Sequence, residues 1–297
     1  MNIEIVYNSK QCDVCPLCGS SLIYKVGIIP IIKPTLYSST EIKLKNDYEY
    51  WECNSCFSGF SQNIVCEDDS KKLYINNKSN KWQSEKIEVN KTKELINEIK
   101  KYFFDNLQVL DIGSNTGELL DYCKQNGLDT YGVEYSIIGK EITRQKGHTV
   151  YDSVDSIEKG KKFDLIFAFD LIEHLYDVNN FFDKITRILK KNGKIILLTG
   201  NPNCVSAKLS KSKWWYLRYP EHIVFPSKKY LSNILGLRLV SYIKVYNSIG
   251  YKRMSVFYLS FRMVERFMRF ILSLVLNRYT GLFSMDKDHH LVVLCKN

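Results

Sequence analysis

Four cysteines near the start of the chain have the residue type and the spacing of a metal site. Cys15 and Cys18 form one Cys-x-x-Cys pair, and Cys53 and Cys56 form a second. Thiolates at this spacing can hold one tetrahedral zinc from two backbone turns, and a site filled by four sulfur ligands is structural rather than catalytic. Cys12 has the same spacing to Cys15 and is an alternative ligand, although the Pro-Leu-Cys-Gly context favours the pair Cys15 and Cys18.

A second group of residues is typical of nucleoside binding. Asp111, Gly113 and Gly117 lie where a short apolar strand passes into a helix. Glycines there let the backbone approach a ligand closely, and the helix N-terminus offers unpaired N–H groups. Asp111 can bind the ammonium group of an amino-acid ligand. Glu134, at the end of the next strand, can accept hydrogen bonds from both hydroxyls of a ribose.

The pattern of elements around these residues predicts an α/β fold. From residue 107 onward, short apolar strands alternate with helices, which indicates a parallel sheet covered on both faces. The expected strands are Gln108–Ile112, Thr130–Glu134, Phe163–Phe169, Lys194–Thr199, Leu239–Val245 and Leu291–Cys295.

The chain divides into three parts by composition. Residues 1–69 are predicted to form a small, zinc-ribbon-like cysteine module. Residues 70–106 are predicted to form a linker and a leading helix. The linker belongs to a polar stretch over Glu67–Lys81, and the helix is expected over Ser84–Phe104. Residues 107–297 form the large domain, and a helix capped by Ser227 is expected over Ser227–Leu235.

From about Leu107 to Phe225, the large domain resembles the class I S-adenosylmethionine-dependent methyltransferases. The family's LDxGxGxG motif corresponds to LDIGSNTG, with Asn115 in place of the middle glycine, and its GxE corresponds to GVE ending at Glu134. Two further blocks, FDLIFAFDLIEHL and LKKNGKIILLTGNPN, follow in the order that the family shows.

This resemblance implies a seven-stranded Rossmann-like sheet with a final antiparallel strand, and S-adenosylmethionine as cofactor. It implies that Asp111 and Gly113 lie near the methionine part of the cofactor, and that Glu134 binds the ribose. It also implies that Asp170 lines the cofactor cleft and that Asp152 lies near the adenine. The residues of the glycine turn that would contact the cofactor are Gly113, Ser114, Asn115 and Gly117.

Three residues are candidates for removing a proton from a methyl acceptor. His222 lies in a Pro-Glu-His segment before Phe225, a context that in many family members closes the acceptor pocket, and we expect it to be the general base. Glu221 is expected to orient it or to replace it. His174 is a further candidate, although a supporting hydrogen-bonding role is favoured, and His289 and His290 are expected at the surface.

The resemblance also implies the acceptor, because many family members with an N-terminal cysteine module and such a histidine segment act on sugars of bacterial surface glycans. We therefore expect a sugar or glycan of bacterial surface polysaccharides, methylated on oxygen. A cluster of aromatic residues suits the flat faces of sugar rings: Trp214, Trp215, Tyr216 and Tyr219. The alternative is an RNA methyltransferase that binds nucleic acid through the zinc module. A binding module without catalytic activity is a third class, which the intact glycine turn disfavours.

The charge distribution bears on the partner. The net charge is +10, and residues 201–297 contain 16 Lys and Arg against 4 Asp and Glu. The acceptor is therefore expected to be anionic or to be carried on an anionic group. The cysteine module has more acidic than basic residues, which makes nucleic acid the less favoured partner.

The last feature is an amphipathic stretch, Val256–Asn277, within an insertion over about 254–285. It is predicted to be a helix that forms a lid, a homodimer contact or a membrane-surface contact. No export signal and no apolar run of roughly 20 residues is visible, so we expect a cytoplasmic protein, peripheral to the inner face of the membrane if this helix binds lipid. The remaining cysteines are expected to be packed thiols: Cys66, Cys123, Cys204 and Cys295.

Overall fold

The computed structural model describes residues 6–7, 9–30, 35–37, 40–44, 46–75, 93–245, 268 and 287–296. Its N-terminal part is built from short strands, several of which pair as antiparallel hairpins. The bounds are β1 Val6–Tyr7, β2 Ser9–Lys10, β3 Ile23–Ile28, β4 Thr35–Tyr37, β5 Thr40–Leu44, β6 Glu49–Cys53, β7 Gly59–Gln62 and β8 Ile64–Val65.

Seven of the later strands form the central sheet. They are β9 Gln108–Ile112, β10 Asp129–Val133, β11 Thr149–Tyr151, β12 Phe163–Phe169, β13 Leu189–Gly200, β15 Leu237–Val245 and β16 His289–Lys296, while β14 Val224–Phe225 pairs elsewhere. The order is β11-β10-β9-β12-β13-β16-β15, and β16 runs antiparallel to both of its neighbours. The predicted seven-stranded sheet with a final antiparallel strand is therefore confirmed.

Helices cover both faces of this sheet and connect its strands. The described helices are α1 Glu67–Ile75, α2 Lys93–Lys100, α3 Glu118–Gln125, α4 Ile137–Gln145, α5 Val178–Arg187, α6 Val205–Ser210 and α7 Lys228–Leu231. The predicted cap is present, because the Ser227 hydroxyl oxygen accepts a hydrogen bond from the Tyr230 N–H at 3.1 Å. The helix beginning there is shorter than predicted and ends at Leu231.

The strand order places a crevice at the middle of the sheet. Strand β9 has β10 on one side and β12 on the other. The chain runs outward from β9 through β10 to β11 and then crosses back to β12, so the strand order reverses beside β9. In open parallel sheets, ligands bind beyond the carboxyl ends of the strands at such a switch point. The apolar run of β12 is buried on both faces, which fixes the position of the residues that follow it.

The cysteine module and the large domain share one hydrophobic core. Cys15 and Cys53 belong to the same buried cluster as Leu110 and Phe225. Strand β14 of the large domain also joins the module's sheet, where it pairs antiparallel with β7. The described residues around the two cysteine pairs and β7 are thus packed directly against the large domain.

The predicted linker is wrong over Glu67–Ile75, which forms helix α1. Three acidic residues occupy its first turn, where they interact favourably with the helix dipole. Leu73 is buried in a small core with Val65 and Tyr37, so the helix is held by tertiary packing that a polar composition does not reveal. The predicted helix over Ser84–Phe104 is described only from residue 93, as α2, and α2 ends at Lys100.

Two predictions of surface exposure are also wrong. His289 and His290 are 2% and 0% exposed, because β16 lies inside the sheet between β13 and β15. Trp214, Trp215 and Tyr216 are likewise buried, and they pack around Phe225 and His289 instead of offering open faces to a sugar.

The amphipathic stretch Val256–Asn277 falls outside the described residues, apart from Met268, and its predicted roles as lid, dimer contact or membrane-surface helix stay predictions. Within the ranges that the structure describes, no helix has the length and apolar character needed to span a membrane.

Candidate active site

The glycine turn after β9 has the backbone geometry that the sequence predicts. Gly113 and Gly117 have φ angles of +79° and +83°, which side chains rarely permit. A Cβ atom on Gly117 would also lie 2.9 Å from Thr143 Cγ2. Asn115 has φ +48°, and asparagine is one of the few other residues that tolerate this left-handed region, which explains how it replaces a glycine here.

Glu134 connects the loop after β9 with the loop after β10. Its Oε2 atom accepts a hydrogen bond from the Asn115 N–H at 2.8 Å, and its Oε1 atom accepts one from the Ser136 N–H at 2.7 Å. Burial raises the pKa of this carboxyl, and the backbone N–H groups oppose that rise. Each carboxylate oxygen has a second lone pair, so Glu134 can also accept from ribose hydroxyls.

Three predicted cofactor residues of the glycine turn are buried and are not in the described lining of the cavity: Asp111, Ser114 and Gly117. Asp111 is only 5% exposed, and burial together with the nearby carboxylates Glu134 and Glu118 raises its pKa to about 8. A ligand cation at the turn would lower that pKa, because a nearby positive charge favours the ionised carboxylate.

Asp170 lies directly after β12, in the left-handed region with φ +46°. Its side chain lines the cavity and is 58% exposed to that space, but the surrounding walls keep bulk water away from it. This desolvation and the neighbouring Glu173 raise its pKa to about 7. His289 opposes that rise, and its Nε2 atom lies 3.9 Å from Asp170 Oδ1. The sequence prediction that Asp170 lines the cleft agrees with this position.

These elements enclose one cavity of about 450 Å³. Its lining includes residues of the glycine turn, of the segment from Glu134 into α4, of the segment after β12, of helix α1 and of the segment before β14. They are Glu67, Ser70, Lys71, Tyr74, Gly113, Asn115, Thr116, Glu134, Tyr135, Ser136, Ile138, Gly139, Asp170, Leu171, His174, Leu175, Tyr176, Tyr219, Glu221 and His222.

His222 lines this cavity, and its ring has a defined hydrogen bond. The Nδ1 atom lies 2.9 Å from the backbone carbonyl oxygen of Tyr216. A carbonyl oxygen can only accept, so Nδ1 carries the proton and donates it. In the neutral ring Nε2 is then the basic nitrogen, which is the arrangement required of a general base.

His174 and Glu221 lie beside His222. The rings of His174 and His222 are 4.8 Å apart, and His174 Nδ1 lies 3.0 Å from both the Glu221 carbonyl oxygen and the Tyr74 hydroxyl. Burial raises the pKa of Tyr74 well above its usual range, so this hydroxyl stays protonated. His174 therefore connects α1 to the segment that carries His222, in agreement with a supporting role.

Glu173 is a buried carboxylate behind these histidines. It is 0% exposed, one oxygen accepts from the Tyr216 hydroxyl, and the other accepts from Thr199 Oγ1 at 2.8 Å. One ligand atom each from Glu173, His174 and His222 lie within 4.8 Å of one another, close enough to hold a metal ion. Because both Glu173 oxygens already bind hydroxyl groups, we interpret Glu173 as an anchor of the cavity wall.

Asp152 is not brought to the described lining of the cavity. Its side chain is 68% exposed, and Oδ1 forms an ion pair with Lys140 Nζ at 2.5 Å. The predicted contact with adenine is therefore not supported by this geometry, because the carboxylate is paired with a lysine of α4.

Sequence reasoning missed one wall of the cavity. Helix α1 contributes four lining residues at offsets of zero, three, four and seven, which is one face of a helix. That spacing was present in the sequence, but the many Asp, Lys, Asn and Ser residues around it favoured a linker. The four residues are Glu67, Ser70, Lys71 and Tyr74.

The four predicted metal ligands come together away from this cavity. One sulfur atom each from Cys15, Cys18, Cys53 and Cys56 lie within 4.8 Å of one another. The Cys15–Cys56 and Cys18–Cys53 sulfur distances are 3.7 and 3.6 Å. Zinc with bonds of about 2.3 Å to four tetrahedral sulfurs separates those sulfurs by about 3.8 Å, so the donor set fits zinc. Cys12 is not part of this group of described residues.

The fold and the cavity together define the class of protein: an α/β enzyme that binds a nucleoside-containing cofactor at the switch point of its sheet. The family model described as "Methyltransferase domain" matches residues 83–238, which is more than half of the chain. The chain belongs to this family and is an S-adenosylmethionine-dependent methyltransferase.

Named relatives match a shorter segment. A ubiquinone biosynthesis O-methyltransferase of Bradyrhizobium diazoefficiens is 32% identical over 111 residues, which are 35% of this chain and 44% of that protein. One of Bartonella quintana is 30% identical over 106 residues, which are 33% of this chain and 43% of that protein. The match thus spans less than half the length of these curated relatives.

Solved structures give a weaker likeness. A S-adenosylmethionine-dependent methyltransferase of Archaeoglobus fulgidus has a TM-score of 0.47 and 20% identity, over 73% of this chain and 97% of that one. A protein described as a sarcosine dimethylglycine methyltransferase of Galdieria sulphuraria has a TM-score of 0.48 and 15% identity, over 70% and 86%.

Proposed function

We propose that this enzyme transfers a methyl group from S-adenosylmethionine to a hydroxyl of a small, uncharged, ring-shaped acceptor. The observation that carries the proposal is the position of His222. Its ring lines the same cavity as the glycine turn and Glu134, and its Nδ1–H bond to the Tyr216 carbonyl makes Nε2 the basic nitrogen.

The chemistry requires little beyond positioning and proton removal. The cofactor supplies a methyl group already activated on a sulfonium. The protein must hold the acceptor oxygen in line with that methyl group and take the hydroxyl proton. The described cavity brings together a nucleoside-binding turn, a base and a neighbouring carboxylate, Glu221, that can stabilise the base when it is protonated.

The charges around the cavity support a cationic cofactor and an uncharged acceptor. Its described lining contains four carboxylates and one lysine, Lys71, and that lysine forms an ion pair with Glu67 at 2.9 Å. A sulfonium is attracted by this excess of negative charge, whereas an anionic acceptor is repelled. The basic residues of 201–297 are absent from the described lining, so the anionic acceptor expected from the sequence lacks support here.

The acceptor class rests on the aromatic residues that do face the cavity. Four tyrosines line it together with Leu171 and Leu175: Tyr74, Tyr135, Tyr176 and Tyr219. Such a surface suits the face of a sugar ring, as in the surface polysaccharides expected from the sequence, and equally that of a phenol. The names of the curated relatives describe O-methyltransferases of ubiquinone biosynthesis, which supports oxygen as the atom methylated.

We also propose a structural zinc at the four thiols, with Cys15, Cys18, Cys53 and Cys56 as its ligands. The sulfur spacing supports it, and four thiolates leave no open position for catalysis. The alternative of an RNA methyltransferase is less well supported. On the module's surface, Lys25 is paired with Glu49, and Glu52 with Lys208 of the large domain, so these lysines are already neutralised.

The test is methyl transfer from isotopically labelled S-adenosylmethionine to four probes: catechol, methyl glucoside, uridine diphosphate glucose and a short RNA. The proposal expects label on catechol or methyl glucoside, and which of the two decides between phenol and sugar. Labelling of the diphosphate sugar or the RNA, with neither neutral probe labelled, would contradict it. A His222→Gln variant serves as the control that the label arises at the proposed site.

A further inference from the structure

The cysteine module is joined by backbone hydrogen bonds to the strand that follows His222. Strand β7 begins three residues after the last cysteine of the second knuckle, and it pairs antiparallel with β14. The paired residues are Val224 with Phe60 and Phe225 with Gly59. Strand β14 is the segment that directly follows His222 and Ile223, so the module's sheet extends to within two residues of the proposed base.

Ser61 continues this pairing up to His222 itself. Its N–H donates to the Ile223 carbonyl at 2.8 Å, and its hydroxyl donates to the His222 carbonyl at 3.1 Å. Ser61 is 5% exposed, so water does not readily replace these bonds. On the other side the Ile223 N–H donates to the Glu173 carbonyl at 2.7 Å, and the backbone around His222 is held from both directions.

The two cysteine knuckles are themselves fixed to the large domain. Asn179 Nδ2 donates to the Leu17 carbonyl at 3.0 Å, and Asn203 Nδ2 donates to the Phe57 carbonyl at 2.9 Å. The Ser227 hydroxyl donates to the Cys56 carbonyl. Each of these carbonyls lies within or next to a knuckle. The position of the four thiols is thereby coupled to β7, because β7 leaves the second knuckle after a two-residue turn.

We propose that the cysteine module is a part of the acceptor side of the active site, and that Ser61 is a positioning residue for His222. The knuckles fix β7, β7 holds the carbonyl of His222 through the Ser61 hydroxyl, and this aims the imidazole into the cavity. The catalytic consequence rests on the proposed function, in which His222 takes the acceptor proton.

Removing the Ser61 hydroxyl leaves the backbone pairing of β7 and β14 in place. Ser61→Ala therefore tests the positioning bond alone and keeps the Ser61 N–H bond to Ile223. Ser61→Thr retains a hydroxyl at the same position. Tyr230→Phe is the matched control, because it also removes one hydroxyl close to the module: the Tyr230 hydroxyl donates to Asn179 Oδ1 within the large domain at 2.7 Å. The variant keeps the bond from Asn179 Nδ2 to the Leu17 carbonyl of the module.

Three measurements are made on each full-length, zinc-loaded variant. The ¹⁵N spectrum of the histidine rings reports the tautomer of His222, whose signal is assigned by its loss in His222→Gln among the 5 histidines. Calorimetry with S-adenosylhomocysteine reports the cofactor side and confirms folding. Methyl transfer to whichever neutral probe, catechol or methyl glucoside, the wild-type protein labels gives the turnover number.

We expect Ser61→Ala to convert the His222 signal from the Nδ1–H form to a mixture of tautomers. It should also lower the turnover number by between about ten- and a hundred-fold, because a small displacement of a reacting group has effects of this size. Ser61→Thr restores both, Tyr230→Phe changes neither, and S-adenosylhomocysteine affinity is unchanged throughout. An unchanged His222 signal in Ser61→Ala, or an equal change in Tyr230→Phe, would overturn the proposal.

Failure of the proposed function gives a different result. If His222→Gln keeps normal turnover, then His222 is not the base. The turnover number of Ser61→Ala then no longer tests whether Ser61 positions His222. The tautomer of His222 in Ser61→Ala still decides whether Ser61 positions the ring.

Discussion

The two sides of the cavity are built in different ways. The cofactor side comes from two consecutive strand-to-helix turns, and its residues, from Gly113 to Glu134, lie close together in the sequence. The proposed acceptor side is assembled from segments far apart in the chain: helix α1, the residues after β12 and the segment before β14. A local motif can therefore be recognised by its spacing, whereas the acceptor side depends on long-range packing that includes the cysteine module.

The largest effect is expected on the acceptor side. His222→Ala should lower the turnover number by about 10²–10⁴-fold, the usual contribution of a general base, with little change in cofactor affinity. Steady-state kinetics with the neutral probe that is methylated would measure it, with calorimetry as the check on the cofactor. Near-normal turnover would transfer the role of base to Glu221 or His174.

Removal of the metal should also affect the acceptor side more than the cofactor side. Elemental analysis should find one zinc per chain, and a chelator should lower turnover strongly, because the knuckles support β7 and helix α1 follows the module directly. S-adenosylhomocysteine affinity should fall by a smaller factor, since the glycine turn and Glu134 belong to the large domain.

Two comparisons check this metal prediction. Restoring zinc should restore turnover, and Cys12→Ser should bind zinc like the wild-type protein while Cys56→Ser should not. Normal turnover of the zinc-free protein would show that the active site does not depend on the zinc-bound module.

The reverse pattern is expected at Glu134. Glu134→Ala should weaken S-adenosylhomocysteine binding by about 1–3 kcal/mol, because the ribose loses a charged hydrogen-bond partner and the Asn115 and Ser136 N–H groups lose theirs. Turnover at saturating cofactor should change far less. Glu134→Gln, which keeps one carbonyl oxygen for these N–H groups, should have an intermediate affinity, and wild-type affinity in Glu134→Ala would remove Glu134 from the site.

The raised pKa of Asp170 predicts a pH dependence of cofactor binding. Its folded-state pKa of about 7 lies above its usual value of about 3.9, so the protonated form predominates below neutral pH. The cationic cofactor favours the ionised form, and its affinity should rise by up to about ten-fold per pH unit as pH increases toward 7. Calorimetry with S-adenosylmethionine at several pH values measures this rise, and Asp170→Asn should remove most of it.

The same shift affects the stability of the ligand-free chain in the opposite direction. A carboxyl whose pKa is raised on folding contributes stability below its unfolded pKa, and this contribution is lost as pH rises through the folded pKa. Denaturant unfolding should therefore show Asp170 contributing less stability at pH 8 than at pH 4, relative to Asp170→Asn. Equal pH dependence of the two proteins would show that Asp170 titrates normally.

The smallest effect is expected at Asp152. Asp152→Ala should leave S-adenosylhomocysteine affinity unchanged, because the side chain is paired with Lys140 on the surface. Calorimetry compares it directly with Glu134→Ala. A loss of affinity similar to that of Glu134→Ala would return Asp152 to the adenine contact expected from the sequence.

The features that could be predicted from the sequence are mostly the local ones, and those that could not depend on long-range packing. The glycine turn, Glu134 and the cysteine pairs were identified because their function depends on residue type at short spacing. The sequence could not show that the Asp111 side chain is buried outside the described lining, because alternation along a strand does not fix which side chains reach a cavity. His289 was wrongly expected at the surface. Its burial depends on β16 inserting between two strands from elsewhere in the chain, which the local sequence does not show.

The aromatic cluster shows the same limit. Trp214 and Trp215 lie next to Tyr219 in sequence, yet the first two are buried in the core and only Tyr219 is in the described lining of the cavity. Residue type alone predicted a sugar-binding surface. Trp214 instead packs against Phe225 and Trp215 against His289. Phe225 belongs to β14, which pairs with β7 of the module.

The most direct test of the account is a crystal structure of the zinc-loaded chain with S-adenosylhomocysteine. The central claim is that one cavity holds the cofactor against the glycine turn and presents its sulfur to the acceptor side held by the module. We expect the ribose hydroxyls on the Glu134 carboxylate and the sulfur directed toward His174 and His222. A nucleoside bound elsewhere, or a sulfur directed away from these histidines, would contradict it.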